Sequence, residues 1–322
     1  MTDFTQNQLP PDLHDQHTDR EERSFLERNR IHPVAFAVVV LFIVFVLYQV
    51  VAGAVTYLIV GSNVVSPENA PTVRLLTMAG QILFILLPTV VFARALSRRS
   101  SEVFGWRTPS IAEGFFGLLS LLFLQQVLQI YLFFQDRIPW PEEIQRILEP
   151  MKQLMDELYR SLLSAQTIPD LLLVLLVAAI VPAVVEELFF RGLIQSSFAR
   201  VMSPVSAAVV AGVIFGLYHL NPFDAVPLMV LGVFFGYLRV RSDSILMPMT
   251  THFVNNGMAV LATYFHLDED MIVGASPAAD PNLTAVAIQL IFYLAMFGAA
   301  FYAYVRVTAR RVPPVGGHSA NP

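Results

Sequence analysis

The stretch DLLLVLLVAAIVPAVVEELFFRGLIQSSF, from Asp170 to Phe198, is long and apolar enough to cross a bilayer, yet it carries Glu186, Glu187 and Arg191. A span needs about 20 apolar residues at 1.5 Å rise each. An ionisable side chain at mid-bilayer depth costs roughly 2.5–3.5 kcal/mol on insertion scales. Two later apolar stretches repeat the pattern, with His219 in one and His252 and Asn256 in the other. Packing alone does not call for so many polar groups at three separate places. Together they predict a polar chamber inside a membrane protein, built from residue types that transfer protons.

Composition agrees. Of 322 residues, 55% are hydrophobic and only 14% charged, with a mean hydropathy of +0.60. Soluble domains run nearer a quarter charged. The fold class expected is all-α, a polytopic membrane helical bundle. The chain has no cysteine, which excludes disulfides, thiolate metal sites and a cysteine nucleophile.

Eight spans are read, at 34–60, 73–95, 111–134, 170–198, 205–220, 226–240, 245–265 and 283–305, the sixth being short. The first lies too far from Met1 for a cleaved signal peptide, so an uncleaved anchor is expected. Arginines sort to alternate loops. Arg20, Arg23, Arg28 and Arg30 precede the first span; Arg94, Arg98, Arg99 and Arg107 follow the second. Arg200, Arg239, Arg241, Arg306, Arg310 and Arg311 continue the series. The alternate loops hold few cations and many acids, which puts both termini in the cytoplasm.

The segment 141–163 is different. Its apolar residues Ile144, Ile147, Leu148, Met151, Leu154, Met155 and Leu158 recur at three- and four-residue steps between charges. That spacing makes an amphipathic helix, lying on the outer leaflet or roofing the bundle. A structural lid is the plainer reading and a substrate gate the sharper one.

Helix geometry separates the two adjacent glutamates. Residues four apart share a face, so Glu187 pairs with Arg191 and Glu186 faces elsewhere. An unpaired carboxylate in low dielectric suits a general base; the plainer alternative is a salt bridge pinning the helix. This span and the next form a hairpin about Met202-Ser203-Pro204. Glu186 lies 16 residues before Met202 and His219 lies 17 after it, at nearly equal depth, where one water can bridge them. A lone membrane histidine also serves as an interhelical hydrogen-bonding group. His252 and Asn256, four apart, share a face and are able to donate two hydrogen bonds to an oxyanion. Asn255 points away and reads as structural. Pro248 is expected to kink this helix and free a carbonyl.

The segments EELFFRG (Glu186–Gly192), FGLYH (Phe215–His219) and HFVNN (His252–Asn256) resemble the three motifs of the CPBP family. It comprises the type II CAAX prenyl endopeptidases and bacterial, Abi-like relatives linked to bacteriocin processing or self-immunity. The resemblance covers roughly 181–257. It implies an intramembrane endopeptidase in which Glu186 and His219 activate water, His252 and Asn256 stabilise the oxyanion, and Glu187 and Arg191 support. Five regions follow: a disordered tail, 1–32; N-terminal spans plus the amphipathic helix, 33–168; a CPBP core, 169–265; a loop and last span, 266–311; and a tail, 312–322.

No cofactor is favoured. No His-Glu-x-x-His occurs and the histidines sit on different spans, although Glu186, His219 and His252 remain as a zinc set. The expected partners are the lipid bilayer and a membrane-embedded protein or peptide substrate, with no nucleic acid. The expected location is a bacterial plasma membrane. Two other functions fit polar groups in spans: a transporter or channel, and a non-catalytic immunity scaffold. The polar residues cluster in the second half without a counterpart in the first, which speaks against an internally repeated transporter.

Overall fold

A computed structural model describes residues 24–267 and 282–309. Most of the two expected tails and most of the acidic loop after His266 lie outside the described residues. The expected unstructured stretch to residue 32 is corrected at its end. Ser24 and Glu27 exchange capping hydrogen bonds and start a one-turn helix, α1 (Phe25–Arg28), whose Leu26 is buried. A capping box satisfies two otherwise orphaned N–H groups at once.

Ten further helices follow: α2 (Pro33–Val60), α3 (Ala70–Leu96), α4 (Ser100–Phe104), α5 (Ile111–Gln135), α6 (Glu142–Leu163), α7 (Ile168–Ala199), α8 (Pro204–Tyr218), α9 (Ala225–Ser242), α10 (Leu246–Tyr264) and α11 (Leu283–Thr308). No strand occurs among the described residues. Helices α2, α3, α5, α7, α9 and α11 are each long and apolar enough to cross a membrane, making this a multi-pass helical membrane protein. Every span read from sequence is helical. The short one is the fifth, α8, with 15 residues, whereas the sixth runs 18.

Local chemistry sets the boundaries. Ser110 and Glu113 form a second capping box at the start of α5. Ser203 caps α8 with Pro204 in its first position, where a missing N–H costs nothing. Pro248 falls in the first turn of α10. It therefore starts that helix rather than kinking it, which corrects the expectation above.

Three features position the site. First, α8 and α9 touch backbone to backbone: a Cβ on Gly212 would lie 2.3 Å from the Val233 nitrogen, and one on Gly216 would lie 2.6 Å from that of Met229. Small residues four apart permit such approach between membrane helices. Second, α7 contains π-helical turns at Leu176–Ile180 and Leu188–Ile194, the kind of irregularity that recurs at functional sites. Third, α6 lies across the bundle against α3 and α10. Arg74 of α3 anchors its C-terminal end, donating to the carbonyls of Ser161 and Leu162 at 2.9 Å and pairing with Asp170 at 2.8 Å.

Candidate active site

Helix α7 brings two glutamates to the centre of the bundle, and its turn separates them. Arg191 Nη1 lies 2.8 Å from Glu187 Oε1, with both side chains fully buried. The guanidinium also donates to the Gly232 carbonyl of α9 at 3.0 Å and sits 4.4 Å from the Phe215 ring centre. A buried charge is tolerated only when paired and hydrogen-bonded, and here the carboxylate, a carbonyl and an aromatic face share that task.

Glu187 has a second partner that helix periodicity does not reveal. His252 of α10 donates Nδ1–H to the same Oε1 at 2.8 Å. That bond fixes the ring and leaves Nε2 facing Glu186, whose Oε2 lies 4.0 Å away. Phe235 stacks on the imidazole with centroids 5.1 Å apart, and Phe215 meets its edge at 5.9 Å. Arg191, Glu187 and His252 thus form one buried line ending near Glu186.

His219 follows α8 at its C-terminus. Its Nδ1–H donates to the Phe215 carbonyl at 2.7 Å, leaving Nε2 as a free acceptor. Leu220 turns the chain sharply, with φ of 54°, a left-handed conformation that strains a branched residue. His219 and Glu186 line the same cavity, and no ion pair joins them.

Asn256 is held from two sides. Pro182 has no N–H, so the Ala178 carbonyl four residues earlier lacks its regular helical donor. Asn256 Nδ2 supplies one at 3.0 Å. Its Oδ1 accepts from Asn255 Nδ2 at 3.1 Å, and Asn255 accepts in turn from Gln125 Nε2 of α5. One Nδ2–H of Asn256 is left over.

Glu186, His219, His252 and Asn256 all line one cavity of about 450 Å³. Sequence reasoning missed Tyr48 of α2, Gln81 of α3 and Tyr159 of α6 on its wall, whereas Met155 and Leu158 come from the amphipathic face expected to roof the bundle. The signal for the first two was faint, a tyrosine and a glutamine isolated in apolar runs. Among the described residues, no group of three His, Asp or Glu side chains able to hold a metal ion is found.

Residues 168–258, which run from α7 into α10, match the family described as Rce1-like, type II CAAX prenyl endopeptidase. The family resemblance read from the three motifs holds, and the match covers the helices that supply all four chamber residues. It indicates a membrane protease acting on a protein or peptide. No curated protein and no solved structure matches the chain.

Proposed function

We propose that the chamber hydrolyses a peptide bond of a membrane-associated polypeptide, with Glu186 as general base. The observation that carries this reading is the convergence of Glu186, His219, His252 and Asn256 on one cavity from two helices, α7 and α10, and the turn after α8. Glu186 lacks the ion pair that Glu187 has, so its lone pairs are available to a water proton. His219 presents a free Nε2 to the same space.

The reaction balances without a cofactor. Glu186 takes a proton as the water oxygen bonds to the scissile carbonyl carbon. The oxyanion that forms is met by the spare Nδ2–H of Asn256 and, when His252 is protonated, by its Nε2–H. The C–N bond then breaks as the proton passes to the leaving nitrogen. A carboxylate and an amine leave the chamber.

Removing a positioned base typically costs 10²–10⁴-fold in rate. Glu186→Gln keeps shape and hydrogen bonding while removing the base. With the full-length protein in membranes, the variant should leave substrates uncut that the parent cleaves. Equal cleavage by both would end the peptidase reading. The proposal invokes no metal; activity that falls on chelation and returns with zinc would overturn that part of it.

A further inference from the structure

Hydrogen bonds sort the helix ends into two faces of the bundle. At one end, Arg200 Nη2 donates to the Leu96 carbonyl at 2.8 Å, Arg107 Nε to the Ser242 carbonyl at 2.6 Å, and Arg241 Nη2 to the Val305 carbonyl at 2.7 Å. Arg94, Arg98, Arg99, Arg239 and Arg306 lie on the same helix ends and their connections. At the other end, Lys152 pairs with Asp136 at 2.6 Å, Gln135 Nε2 donates to the Phe223 carbonyl at 2.7 Å, and Arg74 ties α3 to the end of α6. Acids outnumber cations there: Asp136, Glu142, Glu143, Glu149, Asp156, Glu157 and Asp224 stand against Arg74, Arg137, Arg146, Lys152 and Arg160.

The chamber belongs to the second end. Helix α8 leaves the arginine-rich face at Pro204 and delivers His219 after 15 residues, a rise of about 22 Å. The chamber abuts a second cavity of about 400 Å³, and the two share Met155, Tyr159, Leu163 and Asn221 as wall. Asp136, Lys152, Asp156, Arg160 and Asp224 line that second cavity. Charged walls of this kind hold water. The second cavity therefore stands beside the chamber at the arginine-poor end, with Tyr159 and Asn221 as the polar part of the wall they share.

We infer that water and substrate reach Glu186 from the arginine-poor face, which the positive-inside rule makes extracytoplasmic. The substrate class follows, resting on the peptidase reading above: a membrane-anchored polypeptide whose cleavable segment lies at the outer leaflet, not a prenylated tail in the cytoplasm. The access route itself does not depend on catalysis.

The absence of native cysteine allows a direct test. Single cysteines are placed in the full chain at Asp156→Cys in the second cavity, at Ala259→Cys in the chamber wall and at Thr108→Cys on the arginine-rich face. Intact cells are treated with a membrane-impermeant, positively charged methanethiosulfonate, and the remaining thiols are counted after denaturation. Asp156→Cys and Ala259→Cys should react at least tenfold faster than Thr108→Cys, which should react only after permeabilisation. Protection of either of the first two in intact cells, or reaction of Thr108→Cys there, overturns the inference. Failure of the peptidase reading would show separately, as unchanged cleavage by Glu186→Gln.

Discussion

His252 Nδ1 and Arg191 Nη1 bind the same oxygen, Glu187 Oε1, each at 2.8 Å. Glu187 is therefore the junction that locks α10 to α7, while Glu186, one residue earlier, is left facing the cavity. Two adjacent carboxylates have different surroundings: one holds the bundle, the other lines the cavity.

That division has a measurable consequence in stability. Removing one partner of a buried ion pair strands the other and costs about 3–5 kcal/mol. Glu187→Ala should lower the midpoint of unfolding in detergent markedly and abolish activity as a result. Glu186→Gln should leave the midpoint within about 0.5 kcal/mol of the parent, in the range of substitutions that break no buried interaction. Equal destabilisation by both would mean that Glu186 is a structural group.

The glycines of α8 give a second contrast. A Cβ at Gly212 would meet the Gly232–Val233 backbone of α9 at 2.3–2.6 Å, whereas at Gly298 of α11 nothing lies within 4 Å. Backbone cannot yield as a flexible side chain does. Gly212→Ala should therefore push the hairpin apart, shift His219 and destabilise by about 1–3 kcal/mol or more. Gly298→Ala should be neutral or stabilise by up to about 1 kcal/mol through helix propensity. Comparing the unfolding of the two variants checks the pair.

Asp224, in the turn after α8, predicts a pH effect of unusual sign. Burial, with Asp156 and Asp136 nearby, raises its carboxyl above the ordinary aspartate value, against the opposing hydrogen bond from Asn221. A raised folded value means that the native state binds this proton more tightly than the unfolded chain does. Its contribution to stability is thus greatest at low pH and falls as pH rises through the folded value. Asp224→Asn should stabilise the protein at neutral pH, and that advantage should shrink as the medium is acidified toward the ordinary aspartate range. A gain that grows on acidification would contradict the assignment.

Sequence periodicity told apart Glu186 and Glu187 because their relation to Arg191 is local, within one helix. The hairpin arithmetic likewise placed Glu186 and His219 on one cavity, since loop length and helix rise fix relative depth. The bond from His252 to Glu187 was not legible. Residue spacing says which side chains share a face of α10, but not which neighbour that face meets. The contributions of Tyr48 and Gln81 were hidden for the same reason, as α2 and α3 reach the chamber only through tertiary packing. The freed carbonyl was sought at Pro248, which proved to start its helix; the one that matters lies in α7, created by Pro182.

Pro182 and Asn256 should for that reason be coupled. The proline leaves the Ala178 carbonyl without its regular donor, and the Asn256 carboxamide fills the gap at 3.0 Å. A buried acceptor stripped of its partner costs about 1–3 kcal/mol, so Asn256→Leu should destabilise by that order in the parent background. Pro182→Ala restores a backbone N–H able to bond the same carbonyl. In that background Asn256→Leu should cost less, giving an interaction energy of about 0.5–2 kcal/mol in a double-mutant cycle. Activity should not recover with stability, because the spare Nδ2–H proposed for the oxyanion is lost in both backgrounds. Additive effects on unfolding would show that Asn256 is held by its neighbours on α10 and α5 rather than by the irregular turn of α7.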